Sequence, residues 1–91
     1  MSQQIPFGMN YSAVNSMIGK MTRASQKLAA MKASMSKLVE NQDWHGTDHD
    51  RFVRDWTDQY APAIQDAVSR LDEATVAARR AVNGQQTASA T

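Results

Sequence analysis

Apolar side chains recur through the first half of the chain at Val14, Met17, Met21, Ala24, Leu28, Met31, Met35 and Leu38, in steps alternating between three and four residues. This is the heptad spacing of a left-handed helical seam. It predicts a helix from about 12 to 40, a rod of roughly 43 Å at 1.5 Å per residue. A second run, Val53, Tyr60, Ile64, Ala67, Leu71, Ala74, Ala78 and Ala81, keeps the same rhythm and predicts a helix from about 48 to 82. Phe52 and Trp56 flank its start at i,i+4. This seam tapers from aromatics to Ala, so the two helices approach most closely away from the turn.

Between the runs, residues 41–47 read as a turn. Asn41 caps a helix end, and Gly46 permits backbone angles closed to other residues. Thr47 or Asp48 is expected to cap the second helix, with Asp48 and Asp50 suiting its positive N-terminal dipole. Residues 1–10 form an arm broken by Pro6 and Gly8, with Asn10 or Ser12 as the N-cap of the first helix. Pro62 lies inside the second helix, where a missing N–H and a ring clash predict a kink near 58–62. Gly19 lies off the first seam and costs about 1 kcal/mol relative to Ala. After Asn83-Gly84 the tail 83–91 is small and polar and is expected to be disordered.

Two helices make one layer, which cannot enclose a core, so their apolar stripes need a partner. The expected architecture is therefore all-α: a single-domain antiparallel helical hairpin pairing into a four-helix bundle dimer. Its pairing residues are Val14, Met17, Met21, Leu28, Met31, Met35 and Leu38 with Phe52, Trp56, Tyr60, Ile64 and Leu71. Four of the first seam's residues are Met, whose flexible thioether adapts to a partner surface.

The 91 residues hold 10 Lys or Arg against 9 Asp or Glu, a net charge of +1. That balance gives no overall drive towards nucleic acid or an anionic membrane. The charges divide between the halves. The first helix carries Lys20, Arg23, Lys27, Lys32 and Lys37 against Glu40, while acids outnumber Arg from Asp43 onward. The basic stripe reads as a solvated face, and no nucleic-acid module signature accompanies it. No Cys is present, which excludes disulfides and thiolate metal sites. His45 and His49 are i,i+4, a ligand spacing, but His45 precedes the helix and no Glu follows it as in H-E-x-x-H. Neither metal nor cofactor is expected. A nucleophile elbow and a phosphate loop are both missing, and a bare hairpin offers no concave pocket, so the reading is non-enzymatic. Residues 1–11 lack the basic and apolar regions of a secretory signal, and no run reaches the roughly 20 apolar residues that span a bilayer.

Trp44-His45-Gly46 sits at the midpoint of the chain, in the turn. Trp44 suits both a plug closing the open end of the hairpin and an interface anchor. A helix, a central Trp-X-Gly turn and a second helix within about a hundred residues resemble the WXG proteins. These are the early-secreted-antigen-like substrates and partners of type VII secretion in actinobacteria and firmicutes. The likeness runs from about Met9 to Gln86 and is strongest in WHGTDHDRFVRDW, with Phe52 and Trp56 where the family often has large apolar residues. This stretch is similar to an actinobacterial subgroup that also carries a Pro in the second helix, as Pro62 does here. The resemblance implies a hairpin pairing as a homodimer or heterodimer with another WXG-like hairpin. It implies export in folded form without a cleaved signal, as effector, chaperone or co-secreted partner, with a larger substrate or the secretion ATPase as further contacts. Given the lack of a bilayer-spanning run, no membrane insertion is expected. In that family the Trp-X-Gly turn lies beside a C-terminal Tyr-x-x-x-Asp/Glu export motif on the partner chain. Here Tyr11 is followed four residues on by Asn15, and Tyr60 by Ile64. Either a partner supplies the export signal, or the chain stays in the cytoplasm as a coiled-coil adaptor or antitoxin-like partner.

Overall fold

The computed structural model describes residues 10–41, 43 and 45–90. The arm at 1–9 and Trp44 lie outside the described residues. The described chain is helical: α1 (Tyr11–Val39), α2 (Thr47–Asp55), a π-helical turn (Trp56–Tyr60) and α3 (Ala61–Ala90). Asn10 caps α1, its Oδ1 accepting from the Ala13 N–H at 3.0 Å. Lys37 stands in the last turn of α1, where a cation suits the negative end of the helix dipole.

Chain reversal is set by short-range polar contacts. Asn41 Oδ1 accepts from the Asp43 N–H at 2.8 Å, closing an Asx turn. Gly46 takes φ 110° and ψ −176°, a conformation that side-chain-bearing residues rarely adopt. It is also the N-cap of α2 and brings no side-chain cap. The expected cap at Thr47 or Asp48 is thus corrected: both already lie inside the helix, where Asp48 and Asp50 occupy the first turn. Across the turn, His49 Nε2 donates to the Val39 carbonyl at 2.8 Å. A carbonyl only accepts, so this contact selects the Nε2–H tautomer. Its Nδ1 lies 3.5 Å from Asp50 Oδ1.

The helices then run back antiparallel. Trp56 Nε1 donates to Ser36 Oγ at 3.0 Å, Lys32 Nζ to Gln65 Oε1 at 3.1 Å, and Ser25 Oγ to Asp72 Oδ1 at 2.6 Å. These three bonds fix which levels of α1 lie beside the π-helical turn and α3. The buried layer consists of Ile18, Ser25 and Val39 from one helix and Trp56, Val68, Thr75 and Val82 from the other. The particle measures 65 × 21 × 18 Å, and among the described residues no third helix covers the packed pair. Even Val39, the best shielded of the buried apolar residues, keeps 4 % of its surface exposed.

Pro62 bends the rules of the helix without breaking it. Its ring would meet the carbonyl four residues back, that of Asp58. The chain widens just before it instead, and the Ala61 N–H donates to the Trp56 carbonyl, five residues back. The disturbance expected at 58–62 takes the form of this π-helical turn, which inserts one residue into the helical repeat. The buried stripe accordingly steps from Trp56 by five residues to Ala61, then returns to steps of three and four through Ile64, Val68, Leu71, Thr75, Ala78 and Val82.

The expected end of the second helix near 82 is also corrected. Gly84 is not in the left-handed region, so Asn83-Gly84 does not form a C-cap. The Ala- and Gln-containing tail 83–90 continues the helix. A Cβ at Gly84 would meet nothing within 4 Å, and one at Gly19 only the flexible end of Arg23 at 3.3 Å. Gly19→Ala and Gly84→Ala are therefore expected each to raise stability, by up to about 1 kcal/mol, as a rise in the urea midpoint. A fall at either position would mean its backbone is not helical in solution.

Candidate interaction face

Two heptad stripes overlap on each helix, and the structure separates them. The stripe buried within the hairpin on α1 is Tyr11, Val14, Ile18, Met21, Ser25, Leu28, Lys32, Met35 and Val39, all buried or half-buried. The predicted stripe shares Val14, Met21, Leu28 and Met35 with it. Its other members, Met17, Ala24, Met31 and Leu38, are exposed, with 46, 47 and 58 % of the surface open at Met17, Met31 and Leu38. On α3 the same division recurs. Ile64, Leu71 and Ala78 are half-buried and shared, Val68, Thr75 and Val82 are buried, and Ala74 and Ala81 are exposed. Ala67 is half-buried, and Tyr60 in the preceding π-helical turn is 49 % exposed.

On both helices the outer stripe lies one residue N-terminal to the buried one: Met17 beside Ile18, Met31 beside Lys32, Ala67 beside Val68, Ala81 beside Val82. In an antiparallel pair, an equal rotation of both helices away from their contact turns both stripes to the same side. The levels set by the Ser25–Asp72 and Lys32–Gln65 bonds place Met17 by Ala81, Ala24 by Ala74, Met31 by Ala67 and Leu38 by Tyr60. The result is one apolar face, large side chains along α1 and mostly Ala along α3, running along one side of the hairpin. Half-buried Phe52 extends the aromatic end of this face. Its ring lies 6.5 Å from that of Trp56 and 6.4 Å from that of Tyr60.

The predicted pairing residues thus divide in two. Met17, Met31, Leu38 and Tyr60 stand open. Val14, Met21, Leu28, Met35, Phe52, Ile64 and Leu71 are half-buried, and Trp56 is buried inside the hairpin. Of the turn motif, Trp44 is not described, His45 is exposed and Gly46 has the positive φ already noted. Sequence reasoning missed Ile18, Ser25, Val39, Val68, Thr75 and Val82. The missed stripe has the same heptad rhythm, but Ser25, Lys32 and Thr75 interrupt it, so the more apolar neighbour stood out.

On the opposite side, near the turn, lies a shallow cleft of about 330 Å³ lined by Lys32, Ser36, Val39, Trp56, Ala61 and Pro62 among others. It corrects the expectation that a bare hairpin has no concavity; the widened π-helical turn contributes Trp56 and Thr57 to its wall. Among the described residues, Ser36 Oγ in its wall is engaged by Trp56 Nε1, and no hydrogen bond joins Ser36 or Thr57 to Lys32 or Glu40. Among the described residues, no three His, Asp or Glu side chains come together as a metal site. No described helix is long and apolar enough to cross a membrane. Compared with known proteins, the chain matches no family model, no curated protein and no solved structure.

Proposed function

We propose that this chain acts by binding, as a WXG-like protein of a type VII secretion system, and without catalysis. It pairs through its apolar face into a four-helix bundle with another helical hairpin, as homodimer or heterodimer. In that state it serves as effector, chaperone or co-secretion partner, exported without a cleaved signal. The observation that carries the reading is the apolar face along one side of the hairpin, whose two helices are joined by a turn that holds Trp44-His45-Gly46. A large exposed apolar patch marks a docking surface, and the face offers a helical neighbour four heptad-spaced levels, from Met17 to Leu38.

Solution mass by light scattering, with circular dichroism on the same sample, tests the pairing. A helical particle that stays monomeric at micromolar concentration, alone and with every candidate partner, removes it. Trp44→Ala is expected to weaken pairing more than His45→Ala, because a large ring at the turn anchors more contact area than an exposed imidazole. Equal and negligible effects of both would take Trp44 out of the interface. Export is tested by expressing the chain in a bacterium that carries type VII machinery and assaying the culture medium. The second reading, a cytoplasmic coiled-coil adaptor or antitoxin-like partner, is favoured by the absence of Tyr-x-x-x-Asp/Glu at Tyr11 and Tyr60. Retention in the cell with a bound partner decides for it.

A further inference from the structure

Of its two stripes, α1 lays the less apolar one against α3. That stripe holds Ile18, Ser25 and Lys32, while Met17, Ala24 and Met31, one residue before them, are exposed. On α3 the order is the reverse: Val68, Thr75 and Val82 are buried, and the smaller Ala67, Ala74 and Ala81 beside them are less so. Burial of apolar area alone therefore accounts for the rotational phase of α3 and not for that of α1. At roughly 100° per residue, a turn of α1 by about 60° would exchange Ser25 and Lys32 in the contact for Ala24 and Met31. Met21, Leu28 and Met35, common to both stripes, would stay in it.

What opposes that turn is polar. Ser25 Oγ donates to Asp72 Oδ1 at 2.6 Å, and Lys32 Nζ to Gln65 Oε1 at 3.1 Å, two bonds one heptad apart on both helices. Ser25 is 6 % exposed and takes its acceptor from the other helix, and a carboxylate acceptor makes that bond the stronger of the two. The buried Thr75 hydroxyl instead donates within its own helix, to the Leu71 carbonyl at 2.9 Å, and puts no demand on the phase of α1. Gln65 and Asp72 are exposed and follow half-buried Ile64 and Leu71 by one residue, which places them on the flank of the contact away from the apolar face. Turning α1 towards its more apolar stripe parts both bonds. We propose that Gln65 and Asp72 are positioning residues: by holding Lys32 and Ser25 they fix the phase of α1 and turn Met17, Ala24 and Met31 outward for a partner. This rests on the reading of the apolar face as a pairing surface and assigns what presents it.

The variant Gln65→Ala/Asp72→Ala removes both acceptors and leaves α1 untouched. The chain has no Cys, so a single thiol placed on α1 reports its phase. In the chain diluted below association, the thiol of Met17→Cys is expected to react with iodoacetamide about tenfold or more faster than that of Ile18→Cys, which is reached only when the hairpin opens. In the double variant this ratio is expected to fall to about one or below, with unchanged helicity by circular dichroism. Asp72→Asn alone, which keeps an acceptor for Ser25, is expected to retain the wild-type ratio. Pairing of the double variant, by sedimentation velocity at about 0.5 M salt, should weaken about tenfold or more. A wild-type ratio near one, a ratio in the double variant that stays at the wild-type value, or a loss of helicity in place of the shift would overturn the control of phase. A shifted ratio with undiminished pairing would uphold that control and remove the apolar face as the docking surface instead.

Discussion

Met31→Glu is expected to reduce pairing by about a hundredfold or more while leaving the hairpin folded. Met31 is 47 % exposed in the single chain, so a carboxylate there stays in water, and Glu equals Met as a helix former. Once a partner closes the face, the same carboxylate leaves water for the centre of an apolar seam, a penalty of several kcal/mol that Lys27 one turn away offsets only in part, and each 1.4 kcal/mol is about tenfold in the constant. Leu38→Glu should act the same way, since 58 % of Leu38 is open in the single chain. Ile18→Glu is the control. Ile18 keeps only 7 % exposure, so that charge unfolds the hairpin itself. Sedimentation velocity at about 0.5 M salt, where exposed charges are screened, separates the two classes. Met31→Glu pairing as tightly as wild type would show that the outer stripe is not the docking face.

Trp56→Ala carries the largest expected loss of stability, about 3–5 kcal/mol. Trp56 is the largest side chain in the buried layer, with 7 % of its surface exposed. Its Nε1–H bonds to Ser36 Oγ, and its ring lies beside that of Phe52. It also sits at the first residue of the π-helical turn, so its removal empties the place where the helix is already widened. For a domain of this length each kcal/mol moves the melting temperature by about 4–8 °C, so a shift well beyond 10 °C is expected by circular dichroism. Trp56→Phe keeps most of the packing and removes the donor, costing about 1–3 kcal/mol. An Ala variant that melts within a few degrees of wild type would mean that the ring is solvated in solution.

The two helices, their antiparallel return and the turn at Gly46 were legible because each rests on local chemistry: heptad rhythm, an Asn cap and a residue that tolerates positive φ. The end of the second helix was misread because Asn83-Gly84 stops a helix only when Gly adopts the left-handed conformation, and here it does not. Pro62 signalled a disturbance in the right place, but periodicity did not show that the chain takes up an extra residue there. The π-helical turn takes up that residue, and it rephases the aromatic start of the return helix against its Ala-rich remainder.

The sequence by itself determined that the chain is helical, that it folds back once, and that an apolar seam in steps of three and four runs along each half, from Val14 to Leu38 and from Val53 to Ala81. Periodicity reports how apolar a stripe is, and not what covers it. Only the tertiary structure decided that a neighbouring, more polar stripe closes the hairpin, through Ile18, Ser25, Lys32 and Val39 against Val68, Thr75 and Val82. The reason is geometric. Two helices touch along one narrow line, so a chain with two adjacent seams buries one of them and leaves the other open. The antiparallel return then brings both open seams to the same side.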